Sequence, residues 1–188
     1  MGKQKVCRIC ISVISCIVCI AYIVYIFRSC NQAPPTIKEG EFPFRFVYEM
    51  DGERYEIEDI VVCQYRGISG IYSNVRAWST TLKSGEENIR ILADENVYSI
   101  LSPNRLNSRI SIYLHYGRST YYMGDNMNAG SITDEKPSLR YSEVYHSPPN
   151  KIHHKTTPLT EKQLEEHFGI KILEFEFSEP IRNTFKAE

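Results

Sequence analysis

Residues 9–27 form an unbroken run without one charged residue, Asn, Gln, Gly or Pro. Lys3, Lys5 and Arg8 precede the run and Arg28 closes it. Nineteen residues wound as a helix span roughly 28 Å, close to the hydrocarbon thickness of a bilayer. In hydrocarbon every backbone polar group needs a partner within its own segment, so such a run is helical there. The expectation is a chain tied to a membrane by its amino-terminal end.

Charge sets the orientation of that anchor. Lys3, Lys5, Arg8 and the terminal amine lie before it, whereas Arg28 and Lys38 beyond it are offset by Glu39 and Glu41. The positive-inside rule then places residues 1–8 in the cytoplasm and the bulk of the chain outside. Tyr22 and Tyr25 sit near the far end of the run, where amphipathic rings favour the interface. A cleaved signal peptide would end in small residues, but Tyr22, Tyr25 and Phe27 crowd this end and no Ala-x-Ala site follows. A lipoprotein reading with Cys30 as the lipidated residue has Ser29 in its favour and Phe27 and Arg28 against it. The myristoylation pattern fails at Val6, where Ser or Thr is required. An uncleaved single-pass anchor is the preferred reading.

The formal net charge of −1 conceals an asymmetry. Residues 31–188 hold 18 Lys+Arg against 23 Asp+Glu, a balance of −5. A mildly acidic domain argues against nucleic acid as a partner. Five of the six cysteines, Cys7, Cys10, Cys16, Cys19 and Cys30, lie in or beside the anchor. Only Cys63 belongs to the soluble part, so no disulfide framework is expected there. The Cys7-x-x-Cys10 and Cys16-x-x-Cys19 spacings have a metal-like form. Their placement in the membrane segment favours small apolar residues over zinc ligands.

After the anchor, residues 28–40 read as a short stiff linker around Pro34-Pro35. Residues 41–188 are long enough for one domain with its own core. The domain opens on a hairpin signal. Phe42, Phe44, Phe46 and Tyr48 alternate, Asp51-Gly52 supplies a type I′ turn, and Tyr55, Ile57, Val61 and Cys63 return. Setting Met50 opposite Glu53 places Tyr48 opposite Tyr55 and Phe46 opposite Ile57. The same register places Glu49 opposite Arg54 and Arg45 opposite Glu58. Apolar pattern and charge pattern therefore agree on one pairing.

Further strands are expected at 77–83, 88–93, 96–101, 109–116 and 119–123, with loops at 67–74, 102–108 and 124–150. Thr160 followed by Gln163 is a capping-box pattern that predicts a helix over 160–168, ended by Gly169. Residues 170–177 alternate as a closing strand, with Leu173, Phe175 and Phe177 on one side. The fold class expected is α+β, mainly β: an amino-terminal transmembrane helix, then one antiparallel, sandwich-like β domain with one carboxyl-terminal helix.

Three segments carry a resemblance. They are Pro34-Pro35-Thr36-Ile37 with Gly40-Glu41-Phe42-Pro43-Phe44, then Tyr121-Tyr122-Met123-Gly124-Asp125, then Ser178-Glu179-Pro180-Ile181-Arg182-Asn183-Thr184-Phe185-Lys186. The chain resembles a group of uncharacterised single-pass membrane proteins from low-GC Gram-positive bacteria, chiefly clostridia. The resemblance runs from the linker to the carboxyl end. It implies topology and host, and no catalytic residue.

Candidate chemistry is sparse. His146, His153 and His154 with Asp125 form a candidate metal set, although the adjacent pair His153-His154 points in different directions on any regular backbone. A solvated polar loop is the plainer reading. Residues 125–130 lack oxygen ligands at Met127 and Ala129, and no Glu follows at the twelfth position, which rules out an EF-hand. Trp78, Tyr113, Tyr116, Tyr121 and Tyr122 are candidates for a ligand platform, against the plainer role of strand packing. Cys63 between Val62 and Gln64 reads as a buried small hydrophobe rather than a nucleophile. Gly-x-Ser-x-Gly, His-Glu-x-x-His and phosphate-cradling glycine loops are missing from the sequence. No cofactor is expected.

The function expected is a non-enzymatic extracytoplasmic module at the cell membrane. Its partners are the bilayer, through residues 9–27, and an envelope component or a membrane protein. The alternative is an envelope-acting hydrolase or metal-dependent enzyme using His146, His153, His154 and Asp125.

Overall fold

The computed structural model describes residues 18–20, 33–69, 75–94, 97–103, 105–107, 109–125, 136–147, 149 and 151–185. Of the expected membrane segment, residues 18–20 are helical and exposed, and the remainder lies outside the described residues. Among the described residues no helix is long and apolar enough to cross a membrane.

The architecture is mainly β. Strands β1 (Glu39–Met50), β2 (Glu53–Ser69), β3 (Val75–Leu82) and β10 (Lys171–Phe177) form one antiparallel sheet in the order β10-β1-β2-β3. Strands β4 (Ile89–Asp94), β7 (Arg109–His115), β8 (Ser138–Ser147) and β9 (Lys151–Pro158) form a second, in the order β4-β7-β8-β9. A small ribbon pairs β5 (Val97–Tyr98) with β6 (Leu106–Asn107). Helices α1 (Ser119–Tyr122) and α2 (Glu161–Phe168) complete the fold.

The first hairpin follows the register that its sequence specifies. Met50 pairs with Glu53, Glu49 with Arg54, Tyr48 with Tyr55, Phe46 with Ile57 and Arg45 with Glu58. Asp51 and Gly52 have φ of 55° and 78°, the pair of positive angles that a type I′ turn requires. The apolar row becomes core: Phe42, Phe44, Phe46 and Tyr48 are buried, as are Val61 and Cys63 opposite. The same buried cluster takes Ile110, Ile112 and Leu114 from β7, and Leu139 and Tyr141 from β8. One core is thus shared by both sheets.

Helix α2 has the expected capping box. Gln163 N–H donates to the Thr160 side chain, and Thr160 N–H donates to Gln163 Oε1 at 3.0 Å. Leu164 and Ile170 are fully buried, and the Phe168 ring lies 5.9 Å from that of Tyr141. Strand β10 then pairs Phe175 with Phe46 and Phe177 with Phe44. A register shift at Val47/Tyr48 puts Ile172 opposite Tyr48, so Leu173 leaves the apolar row and is exposed.

Five expectations are corrected. Residues 119–122 form the single turn α1 and not a strand, because tertiary contacts override the strand preference of Thr and Tyr. Ser119 N–H donates to Thr80 Oγ1, and the fully buried Tyr122 stacks on Phe42 and donates its hydroxyl to Tyr116 O. Within residues 124–150, Ser138–Ser147 is strand β8; its inward row of Leu139, Tyr141 and Glu143 contains an acid, which hid the alternation. Within 67–74, β2 continues to Ser69, and β6 lies within 102–108. The strand expected over 96–101 is only the two residues of β5.

Candidate functional site

The β10-β1-β2-β3 sheet carries an open trough of about 910 Å³. Strand alternation turns Pro43, Arg45, Glu58, Ile60 and Glu176 away from the core, on the side opposite Phe42, Phe44 and Phe46. Pro43 and Ile60 stand opposite each other and, with Phe44 and Phe177, give the trough its apolar lining. Its charged walls are internally paired. Arg45 lies 2.7 Å from Glu56 and 3.0 Å from Glu58, and it also contacts Glu174. The hydrogen bond from Arg45 holds the Glu56 carboxyl below the usual carboxylate range. Lys83 Nζ lies 3.0 Å from Glu41, and Ser84 Oγ donates to Asp59 Oδ2 at 2.5 Å. An apolar lining between hydrogen-bonded walls in which carboxylates outnumber cations suits an extended polymer held by shape and hydrogen bonds.

Asp125 belongs to a different construction. It is fully buried and receives Arg76 through Nε at 2.8 Å and Nη2 at 2.5 Å, together with Trp78 Nε1 at 2.8 Å. The Arg76 side chain is itself only 4% exposed. Its Nη1 donates to Ala33 O at 3.2 Å, and its guanidinium lies 4.0 Å from the centre of the Phe185 ring. Gly124 brings Asp125 into place with φ of 63°, and a Cβ there would stand 2.6 Å from Ile181 O. This bidentate, buried pair joins both ends of the described domain to β3.

Glu143 is the second fully buried carboxylate. Ser99 Oγ donates to its Oε2 at 2.6 Å and the Tyr141 hydroxyl at 3.1 Å, while Arg105 pairs with Oε1. Burial opposes the charge, but Ser99, Tyr141 and the Arg105 cation together hold the carboxyl below the usual carboxylate range. Burial and the neighbouring Glu143 charge push the Tyr141 hydroxyl up to about 12, so it remains a donor. Arg105 also lies 3.8 Å over the Tyr145 ring.

The residues singled out from sequence are dispersed. His146, on β8, pairs with Ile152, whereas His153 and His154 are on β9 opposite Tyr145 and Val144. They stand on strands, which corrects the loop reading. His153 stacks on Tyr145 at 4.8 Å and its Nε2 lies 2.7 Å from Ser147 Oγ. Asp125 is committed to Arg76 and Trp78, apart from this hairpin. Among the described residues no group of three or more His, Cys, Asp or Glu is placed to hold a metal ion. Residues 126–130 of the calcium-like segment lie outside the described residues.

The five aromatic candidates do not share one surface. Tyr122 is in the core and Trp78 packs on Tyr65 at 5.4 Å while donating to Asp125. Tyr121 meets Tyr122 edge-on at 5.0 Å, and Tyr113 and Tyr116 are half-buried on and just beyond β7. Cys63 is a free, fully buried thiol, and burial pushes it up to about 11. It stays protonated at neutral pH and is no nucleophile.

Sequence reasoning missed Arg76, Arg105 and Glu143. A signal existed for two of them: Arg76 shares the parity of Trp78 and Thr80, and Glu143 that of Leu139 and Tyr141. A charge at an inward strand position marks a buried pair. Arg105 had no such signal, since the segment that carries it is ordered by Ser99 and Glu143. No protein-family model matches the chain, and comparison with curated proteins and with solved structures gives no match.

Proposed function

We propose that the protein is a membrane-anchored extracytoplasmic binding module of the cell envelope, not an enzyme. Residues 9–27 are its single transmembrane helix, residues 1–8 its cytoplasmic tail, and the two sheets a sandwich-like domain outside the membrane. The charge asymmetry around the apolar run and the resemblance to single-pass membrane proteins of clostridia support the anchor. The observation that carries the binding reading is the trough, with its apolar lining around Pro43 and Ile60 between paired charges. Its ligand is an extended envelope polymer or a segment of a membrane-protein partner.

Tagged full-length protein recovered from its native membrane is expected to carry such a component with it. Ile60→Arg combined with Lys83→Glu should lower that recovery severalfold, while Lys155→Glu on β9 should leave it unchanged. Equal recovery by the trough variant removes the trough from the reading.

One contact favours a second reading, an envelope-acting hydrolase. Ser147 Oγ and His153 Nε2 are 2.7 Å apart, within the reach of a nucleophile and its base. Recovery of no partner, together with turnover of an envelope substrate that is lost in His153→Ala, would establish it in place of binding.

A further inference from the structure

Strands β2 and β3 run past the beginning of β1. Their ladder continues to Ser69 opposite Val75, whereas β1 starts at Glu39 opposite Gln64. At roughly 3.4 Å per residue, the extra five residues make a ribbon about 17 Å long. The chain leaving β1 toward the amino terminus follows this ribbon outward. Lys38 O accepts from Tyr65 N at 2.7 Å, and Ala33 O accepts from Arg76, which stands opposite Ile68.

The carboxyl-terminal segment fixes that course. Thr36 N donates to Thr184 O at 2.8 Å, and Pro35 bridges to Phe185. Ile37 N donates to Asn183 Oδ1 at 3.0 Å, while Asn183 Nδ2 donates back to Ile37 O at 2.8 Å. The linker expected over 28–40 is therefore docked on the domain from Ala33 onward.

We infer that the part of the β2–β3 ribbon beyond β1, carrying Arg66 and Ile68, is the bilayer-facing surface of the domain, seated against lipid headgroups. This rests on the proposed anchor at residues 9–27. Only six residues lead from position 27 to Ala33, and fully extended they span at most about 22 Å. The Asp51-Gly52 turn lies at the opposite end of the first hairpin, roughly 37 Å from Glu39 along the ladder. The docked segment leaves no slack for the domain to turn end over end. The ribbon also has suitable chemistry: Ile68 is 42% exposed, and Arg66 is exposed two residues before it. An apolar side chain beside a cation fits the boundary between headgroups and acyl chains.

The test uses the full chain in lipid nanodiscs, with a coumarin amino acid replacing Ile68 or Glu53 and a spin-labelled headgroup lipid as quencher. Quenching at position 68 should exceed that at position 53 severalfold. Adding Asn183→Ala and Thr184→Ala removes the side-chain bonds to Thr36 and Ile37 and should narrow the difference between the two values, because the segment is then held only by its backbone pairing and by Arg76. Equal quenching at both positions in the intact protein, or stronger quenching at position 53, overturns the inference. So does an unquenched position 68, the result if a second copy rather than lipid covers the ribbon. Release of the full chain from native membranes by alkaline carbonate would overturn the anchor itself. Retention there with equal quenching removes only the orientation.

Discussion

Asp125 and Glu143 are both fully buried carboxylates, each paired with one arginine, yet the two arginines differ in exposure and the assisting donors differ in kind. Asp125 is held by Arg76 and Trp78 on β3, with Ala33 and Phe185 completing the arginine's surroundings. Glu143 is held by Ser99 and Arg105 from the segment around β5 and β6, and by Tyr141 on its own strand. The Arg76 side chain is 4% exposed and that of Arg105 26% exposed. The first site is a dry junction that rests on an enclosed cation and one indole donor. The second spreads its charge over two hydroxyls and a cation that water still reaches. Burying a charge is costly in both places; besides its arginine, Asp125 keeps the Trp78 indole donor, whereas Glu143 keeps two hydroxyl donors.

The largest expected effect follows from that dependence. Arg76→Ala leaves Asp125 buried without its cation and frees Ala33 and Phe185, so the loss should be about 3–5 kcal/mol. Denaturant unfolding of the full chain in detergent, followed by Trp78 fluorescence, measures it. A loss of about 0–1 kcal/mol, the range of an exposed pair, would break the contrast.

Arg105→Ala should cost less, about 1–3 kcal/mol in the same measurement, because Ser99 and Tyr141 continue to donate to Glu143. If Arg105→Ala equals or exceeds Arg76→Ala, the hydroxyls are not acting as a reserve. The double variant sharpens the comparison further. The two sites share no residue, so their losses should add.

The first hairpin was legible because two patterns, apolar and ionic, fixed one register independently. Helix α2 was legible because its cap, its first turn and Gly169 are all local signals. The loops were misread where tertiary bonds supply the order. Residues 151–158 show no alternation of their own and are strand because β8 pairs with them. Residues 119–122 hold the strand-favouring types Thr and Tyr and are helical because Ser119 bonds to Thr80 and Tyr122 enters the core. The trough was illegible for a related reason. Pro43 and Ile60 are ordinary solvent-side positions until β10 and the Lys83-Ser84 turn close around them.

Acid separates the two sites more gently. The folded-state carboxyl of Glu143 is held below its unfolded value, so it contributes stability above the ordinary carboxylate range. That contribution fades as pH falls below about 4.3 and is gone once the folded-state carboxyl has titrated. Glu143→Gln should therefore flatten the acid limb of the stability curve while lowering its neutral plateau. Thermal unfolding across pH 3–7 checks the sign. An unchanged acid limb would show that other carboxylates dominate it.

The smallest effect belongs to the clasp that joins the Asp125 site to the two chain ends. Asn183 makes two hydrogen bonds to Ile37, and its Oδ1 also accepts from Thr184 N at 2.9 Å. The side chain is on the surface, where water replaces lost partners, so Asn183→Ala should cost about 1 kcal/mol or less. The response should be local rather than global. Freed from Asn183, the Ile37 amide should exchange its hydrogen much faster, and Thr36 should follow as its pairing with Thr184 opens. Amides of β7 and β8, around Glu143, should keep their protection. Hydrogen exchange resolved to single residues distinguishes these outcomes. Equal acceleration in both sheets would mean that the clasp and the core open as one unit. The dry junction would then be part of global stability rather than a separate fastening of the chain ends.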